Sequence, residues 1–363
     1  MMLDNVKVYR YDLRLKDPLI LAGVEHRTRS GLLLKITNKD AVFGLGEIAP
    51  LPGFSEETLD MATKKLFEFL DEYKTKHLGN IGEVSKNLLP SVAFGIETAL
   101  ISLMANSKGL SFSGLVYRDA PGAIALNGLL WGNKEIILQQ AQKLNEAGYR
   151  TFKLKIGRQS FDDDIKLIEE IIKIIGVKGQ LRLDANQAYG YDTASRLLEY
   201  AFKKNIEYVE EPFSDFDELK KYLGGGDHAQ LIALDESLRR VKTESCLGQL
   251  PHYEKAGAMI LKPTMTGYIE SMAFAMAGIK KNLKVIISSS FESALGLYHL
   301  ASVAAVVNSD KFDYAAGLDT FGWFEENLFD ISKYITNDIF DLKKAVEIYN
   351  NIDWSKLNEV EHA

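Results

Sequence analysis

The chain reads as an α/β protein: a TIM-type (β/α) barrel of eight strands preceded by an α+β unit. Three observations carry this. Beyond Pro121-Gly122, eight short apolar runs alternate with amphipathic segments: AIALNG, TFKLKI, LRLDAN, EYVEEP, LIALDE, AMILKP, KVIISSS and FDYAAGL. Several of these runs end on an ionisable residue, and the ionisable residues recur 25 to 29 positions apart, the length of one strand-loop-helix unit. Ahead of this region the pattern has period two rather than the βα period. Eight βα units in succession favour a closed barrel over an open doubly wound sheet.

In chain order, residues 6 to 47 alternate through KVYRYDLRL, GLLLKI and AVFGLGEI, with a turn at Asn38-Lys39-Asp40, which predicts an antiparallel meander. Ser55 is the expected N-cap of a helix carrying Thr58 to Phe69, and SVAFGIETALISLMA reads as a second helix. The expected organisation is an α+β domain over 1–120, a (β/α) barrel over 121–320, and a segment over 321–363 that packs back on the first domain or the barrel exterior. The glycine run at Gly224 to Gly226 follows a helix and precedes a strand, so it reads as a loop and not a phosphate cradle.

Bulk properties narrow the function. The 363 residues can bury a large core, and 46% hydrophobic with 26% charged residues is ordinary for a globular protein. A net charge of −7 spread along the chain argues against a nucleic-acid partner. No apolar run is long enough to span a bilayer, the start MMLDNVKVYRYD has no signal-peptide core, and the one cysteine, Cys246, excludes an intrachain disulfide. The expectation is a cytoplasmic enzyme with no membrane partner, its oligomeric state open. His26, His77, His228, His252, His299 and His362 match no ligand spacing, and Trp131, Trp323 and Trp354 read as packing residues.

The chemistry sits at the strand ends. Asp184, Glu210 and Asp235 close consecutive strands, bracketed by Lys155 in FKLKIG and Lys262 in MILKPT. Two carboxylates about 4 Å apart repel by roughly 4 kcal/mol at an effective dielectric near 20, so a fan of three calls for a cation. All-oxygen donors select Mg²⁺ over Zn²⁺ and leave positions for a carboxylate substrate. Glu211 and Glu236, adjacent to the proposed ligands, are expected as partners of a lysine or ligand rather than as ligands themselves. Lys153 shares parity with Lys155, and two ammonium groups beside a divalent ion disfavour each other's charge, which suits a base. Asn186 shares parity with Asp184 and is expected to face the substrate. The set supports proton abstraction next to a carboxylate, with lysines on two sides.

These motifs, with PSVAFGIETAL, RLDANQAY, LKPTMTG, SSSFESALGL and GLDT, resemble the enolase superfamily, in the branch that includes muconate-lactonising enzymes. A lysine base with Mg²⁺ is that superfamily's known pattern. The resemblance implies a modified (β/α)8 barrel with its amino-terminal α+β domain capping the mouth. It also implies Mg²⁺ on Asp184, Glu210 and Asp235, Lys155 as base, and Lys262 as a cation beneath the enediolate. Ser288, Ser290, Gly317 and Leu318 would lie near the substrate's carboxylates, and the loops near Arg27 and Pro52-Gly53-Phe54 would reach the substrate. Within the branch, the likeness implies dehydration of a succinyl-hydroxycyclohexadiene carboxylate. Dipeptide epimerases and N-acylamino acid racemases share the lysines and ligands and form the alternative. Their Asp-x-Asp pair has no counterpart here, since Asp313 and Asp319 are too far apart.

Overall fold

The computed structural model describes residues 5–21, 23–74, 79–308 and 314–361. His77, Asp313, His362 and the first four residues of the amino-terminal segment lie outside them. The chain begins with an antiparallel meander of β1 (Asn5–Leu21), β2 (Val24–Thr37) and β3 (Phe43–Ile48). Asn38 shapes the second turn, where its Oδ1 accepts from the backbone N–H groups of Asp40 and Val42. After a register irregularity between Arg14 and Leu19, the ribbon continues with Leu19 opposite His26, Ile20 opposite Glu25 and Leu21 opposite Val24.

Helices α1 (Leu59–Tyr73), α2 (Ile81–Ser85), α3 (Pro90–Ser107) and α4 (Phe112–Val116) follow. Ser55 does not cap α1: the side chain of Thr58 accepts from Met61 N–H, whereas Ser55 Oγ accepts from Leu51 N–H. The loop between them consumes the extra residues. Pro at the first turn starts α3, a position where its missing N–H is harmless. This helix packs on β3 through glycines, since a Cβ on Gly46 would lie 1.8 Å from Gly95 O.

The barrel strands are β5 (Asn127–Leu130), β6 (Thr151–Lys155), β7 (Gln180–Asp184), β8 (Tyr208–Glu210), β9 (Ile232–Leu234), β10 (Ala258–Leu261) and β11 (Lys284–Ile287), all parallel in sequence order. Crossovers run through α5 (Lys134–Glu146), α6 (Phe161–Ile175), α7 (Tyr191–Lys203), α8 (Phe216–Gly225), α9 (Glu236–Val241), α10 (Pro263–Thr266) and α11 (Tyr268–Lys280). Local chemistry sets their ends. The side chain of Ser160 accepts from Asp163 N–H, Asp162 to Asp164 complement the positive end of α6, and Gly176 (φ +63°) stops it.

Two elements differ from the expected pattern. AIALNG is divided: β4 (Ala123–Ala125) pairs antiparallel with β13 (Ile339–Asp341), which pairs with β12 (Ile335–Thr336), and only Asn127 onward pairs with β6. The eighth strand is reduced to bridges at Ala316 and Gly317, where Asn127 N–H donates to Ala316 O (2.9 Å) and Gly317 N–H to Ile287 O (2.9 Å). Those bridges join β5 to β11 and close the ring. The buried helix α12 (Ala294–Val307) lies between β11 and this closing segment. Near the carboxyl end, β14 (Asn358–Glu359) pairs with β1. No helix among the described residues is long and apolar enough to cross a membrane.

Candidate active site

Strand ends place the ionisable side chains. Lys155, Asp184 and Glu210 lie in register across β6, β7 and β8, with Lys155 paired to Asp184 and Asp184 to Glu210. Glu211 then adopts a left-handed conformation (φ +43°), and Pro212 follows, so the strand ends there. Asp235 comes directly after β9 and Lys262 directly after β10.

Burial makes each charge depend on its neighbours. Lys153, 6% exposed, sits 2.9 Å from Asp184 Oδ2 and 2.6 Å from Glu210 Oε2. Lys155 lies 2.6 Å from Asp184 Oδ2 and donates to Asn186 Oδ1 at 2.9 Å. Lys262 is paired with Asp235. Burial opposes the Lys153 ammonium, but Asp184 and Glu210 outweigh it and hold its pKa well above the ordinary value. This differs from the expected mutual weakening of two lysines, because in the protein alone Lys153 faces carboxylates on two sides. Burial likewise opposes the Asp184 carboxylate, and the two lysines overcome it and hold its pKa below the usual range. Glu210 is pushed well above its usual value by burial and by the Asp184 charge.

Glu211 turns away from the cavity, its Oε1 accepting from Asp235 N–H (2.7 Å) and Ser237 N–H (2.8 Å), and its pKa is raised by burial to about 7. It positions Asp235 through the backbone. Glu236 accepts from Asn186 Nδ2 at 3.4 Å and lines the cavity.

The cavity has a volume of about 510 Å³. Lys153, Lys155, Asp184, Asn186, Lys262, Ser288, Ser290 and Gly317 line it. Glu210 and Asp235 lie beneath that surface, fully or nearly buried, and Leu318 is buried behind it. Arg27 does not line it: near the exposed start of β2, its guanidinium pairs with Glu25 at 2.7 Å. The amino-terminal domain supplies Ile20, Leu21, Leu51 and Phe54 instead. Its buried Arg29 donates to Phe291 O (3.1 Å), Ser30 O (3.1 Å), Pro50 O (2.8 Å), Ala49 O (2.6 Å) and Ser290 O (3.4 Å). One side chain thus ties together the loops carrying Leu51, Phe54 and Ser288 to Phe291.

Sequence reasoning did not single out Arg158, Met265 or Phe291 for the cavity, and it assigned Trp131 to packing alone. Position one residue after FKLKIG was the available signal for Arg158. Asp319, which the sequence brought up only as an unmatched half of an acidic pair, also lines the cavity; it accepts from Leu129 N–H at 3.3 Å and is pushed by burial to a pKa of about 7. His299 is buried, with Nε2 3.1 Å from Tyr349 Oη.

The donors fit a hard divalent cation by chemistry. Asp184, Glu210 and Asp235 offer only oxygen, and Asp184 Oδ2 and Glu210 Oε2 are buried, within ion-pair distance of lysines, yet accept no hydrogen bond of good angle. In the protein alone the carboxylates are drawn toward lysines, and among the described residues no three such groups converge as a ready-made metal cluster.

Residues 3–103 match the family model described as "MenC, N-terminal domain", and residues 137–336 match "Enolase C-terminal domain-like". The chain is 31% identical to an o-succinylbenzoate synthase of Haemophilus influenzae, covering 88% of this chain and 91% of the relative. With the o-succinylbenzoate synthase of Pasteurella multocida, identity is 30% over 88% and 90% of the two chains. Among solved structures, the L-Ala-D/L-Glu epimerase from Bacillus subtilis superposes with a TM-score of 0.80 at 21% identity, covering 93% of this chain and 96% of that one. A dipeptide epimerase from Methylococcus capsulatus, complexed with Mg and a dipeptide, gives 0.80 at 19% identity over 93% and 96%. These two support the fold alone. With the second family model spanning more than half of the chain and synthase relatives matched over nine-tenths of their length, the chain belongs to the enolase superfamily and, within it, to the o-succinylbenzoate synthase family.

Proposed function

We propose that the chain catalyses the Mg²⁺-dependent syn-dehydration of a succinyl-hydroxycyclohexadiene carboxylate to o-succinylbenzoate, a step of menaquinone biosynthesis. The observation that carries this reading is that Lys155 and Lys262, on strands separated by the three that lead to the carboxylates, line one cavity. A planar intermediate there has an ammonium group on each side. Lys155 Nζ removes the α-proton as the general base, and the enediolate forms on the substrate. The same Nζ then returns its proton to the hydroxyl leaving from that face, water departs, and the ring becomes aromatic. Lys262, held charged by Asp235, stays protonated and stabilises the enediolate electrostatically. Asp184, Glu210 and Asp235 would hold Mg²⁺, which supplies Lewis-acid stabilisation of the carboxylate on which negative charge accumulates. Asn186 orients Lys155, and Ser288, Ser290 and Gly317 border the substrate.

The placement of two lysines also supports a second reading, racemisation of an N-acylamino acid or epimerisation of a dipeptide by proton transfer between faces. The decisive assay is the appearance of an aromatic ultraviolet-absorbing acid from the cyclohexadiene substrate. Wash-in of solvent deuterium into recovered N-acylamino acid of either hand, without dehydration, would favour the second reading.

A further inference from the structure

The dehydration substrate carries two carboxylates, one on the ring and one at the end of its succinyl arm. With the ring carboxylate directed at the acidic residues that end β7 and β8 and follow β9, an arm directed away from them meets the opposite arc. That arc comprises β11, the closing segment at Ala316 and Gly317, β5 and the loop after β6. A carboxylate leaving water for such a wall needs a cation or several hydrogen-bond donors.

Four cationic side chains line the cavity: Lys153, Lys155, Lys262 and Arg158. The three lysines are each paired with Asp184, Glu210 or Asp235. Arg158 has no carboxylate within ion-pair distance among the described residues. Its guanidinium carbon instead lies 4.3 Å from the centre of the Trp131 ring. A guanidinium held over an aromatic ring by cation–π attraction keeps N–H groups available for two parallel hydrogen bonds to a carboxylate.

This arrangement is braced. Trp131 meets Trp323 edge-on at 5.3 Å, and Trp323 meets Phe291 edge-on at 5.5 Å, so the wall beneath Arg158 is continuous with the loop after β11. The Arg158 backbone is fixed from two directions. Gly157 takes φ +82°, where an added Cβ would lie 2.3 Å from Ala188 Cβ, and its N–H donates to Asp164 Oδ2 at 3.0 Å. Two residues later Ser160 caps α6.

We infer, on the dehydratase reading above, that Arg158 binds the terminal carboxylate of the succinyl arm and makes the enzyme selective for acyl arms that end in a carboxylate. The base, Lys155, lies three residues earlier on the same strand-loop unit, so one rigid element sets the distance between the reacting carbon and the arm's end.

The test combines variants with altered ligands. Arg158→Met and Arg158→Lys are assayed with the dehydration substrate. Wild type and variants are then titrated calorimetrically with o-succinylbenzoate and with its analogue whose arm ends in a carboxamide. Arg158→Met is expected to raise KM about 10- to 100-fold, with the loss concentrated in KM and Arg158→Lys recovering part of it. Wild type should bind the diacid at least tenfold more tightly than the amide, and Arg158→Met should bind the two alike. A KM within twofold of wild type, or undiminished preference for the diacid in Arg158→Met, overturns the assignment. So does transfer of the whole effect to Ser290→Ala, which would place the terminal carboxylate on the serine loop. Failure of the wild-type protein to dehydrate the substrate refutes the dehydratase reading by a separate measurement, and the assignment falls with it.

Discussion

Lys153→Met removes the ammonium bridging Asp184 and Glu210, which it contacts at 2.9 Å and 2.6 Å, while keeping much of the side chain's volume. Two buried carboxylates on paired positions of adjacent strands then face each other without a shared counter-charge. Removing one partner of a buried ion pair typically destabilises by about 3–5 kcal/mol, and that is the loss expected at pH 8 in a chelating buffer. The sign of the pH dependence follows from Glu210, whose pKa is already raised by burial and by Asp184. A carboxyl group with a folded pKa above its unfolded value penalises the native state at high pH, and the penalty disappears as pH falls toward the unfolded value. The deficit of Lys153→Met should therefore shrink in mild acid. Mg²⁺ should recover more stability in the variant than in wild type; saturation at about a hundredfold over Kd returns about 2.7 kcal/mol. Urea unfolding followed by circular dichroism, with chelator and with Mg²⁺, measures both effects. A variant as stable as wild type in chelator at pH 8 would refute the claim that Lys153 compensates the two acids.

Lys155→Ala should lower turnover by about 10²–10⁴-fold or more while circular dichroism stays that of wild type; retained activity would remove Lys155 as the base. Lys262→Ala should also be inactive in dehydration, and loss of turnover without loss of product binding, read by calorimetry, places its effect in the transition state. Burial lowers the His299 pKa to about 3, so the unfolded chain gains a proton below about pH 6.5 that the native state refuses. Stability should fall by up to roughly 4–5 kcal/mol between pH 6.5 and 3, and His299→Phe should flatten that slope in urea titrations. Gly46→Ala forces a Cβ to 1.8 Å from Gly95 O, so it should destabilise by about 3 kcal/mol or prevent folding, whereas Gly248→Ala, with nothing within 4 Å, should change little.

Much of the fold was legible because its signals are local. Apolar runs ending on Asp184, Glu210 and Asp235 mark β7, β8 and β9, and the alternation over residues 6 to 47 marks the β1–β3 meander. Signals failed where a distant segment decided the outcome. Residues 339–341 recruit Ala123–Ala125 and divide a run that reads as one strand. The closing segment needs only the bridges at Ala316 and Gly317 because its neighbours on either side supply the remaining hydrogen bonds. At the site, spacing brought out the lysines and carboxylates, since each ends a strand. It could not show that Arg158 would rest on Trp131, because that contact depends on the loops after β5 and β6 meeting, and Arg27, which the resemblance placed near the substrate, sits within β2 beside Glu25.

The five carbonyl oxygens gathered by Arg29 lock two walls of the cavity to each other. Parting the loop after β3 from the loop after β11 would strand a buried guanidinium away from water, a penalty of several kcal/mol. Those two walls are therefore held together as one frame. Toward the end of the β1–β2 ribbon, Leu19 and Leu21 are buried while Ile20 is 63% and Val24 57% exposed, so the amino-terminal domain lays one edge of the ribbon on the core and leaves the other bare beside the cavity.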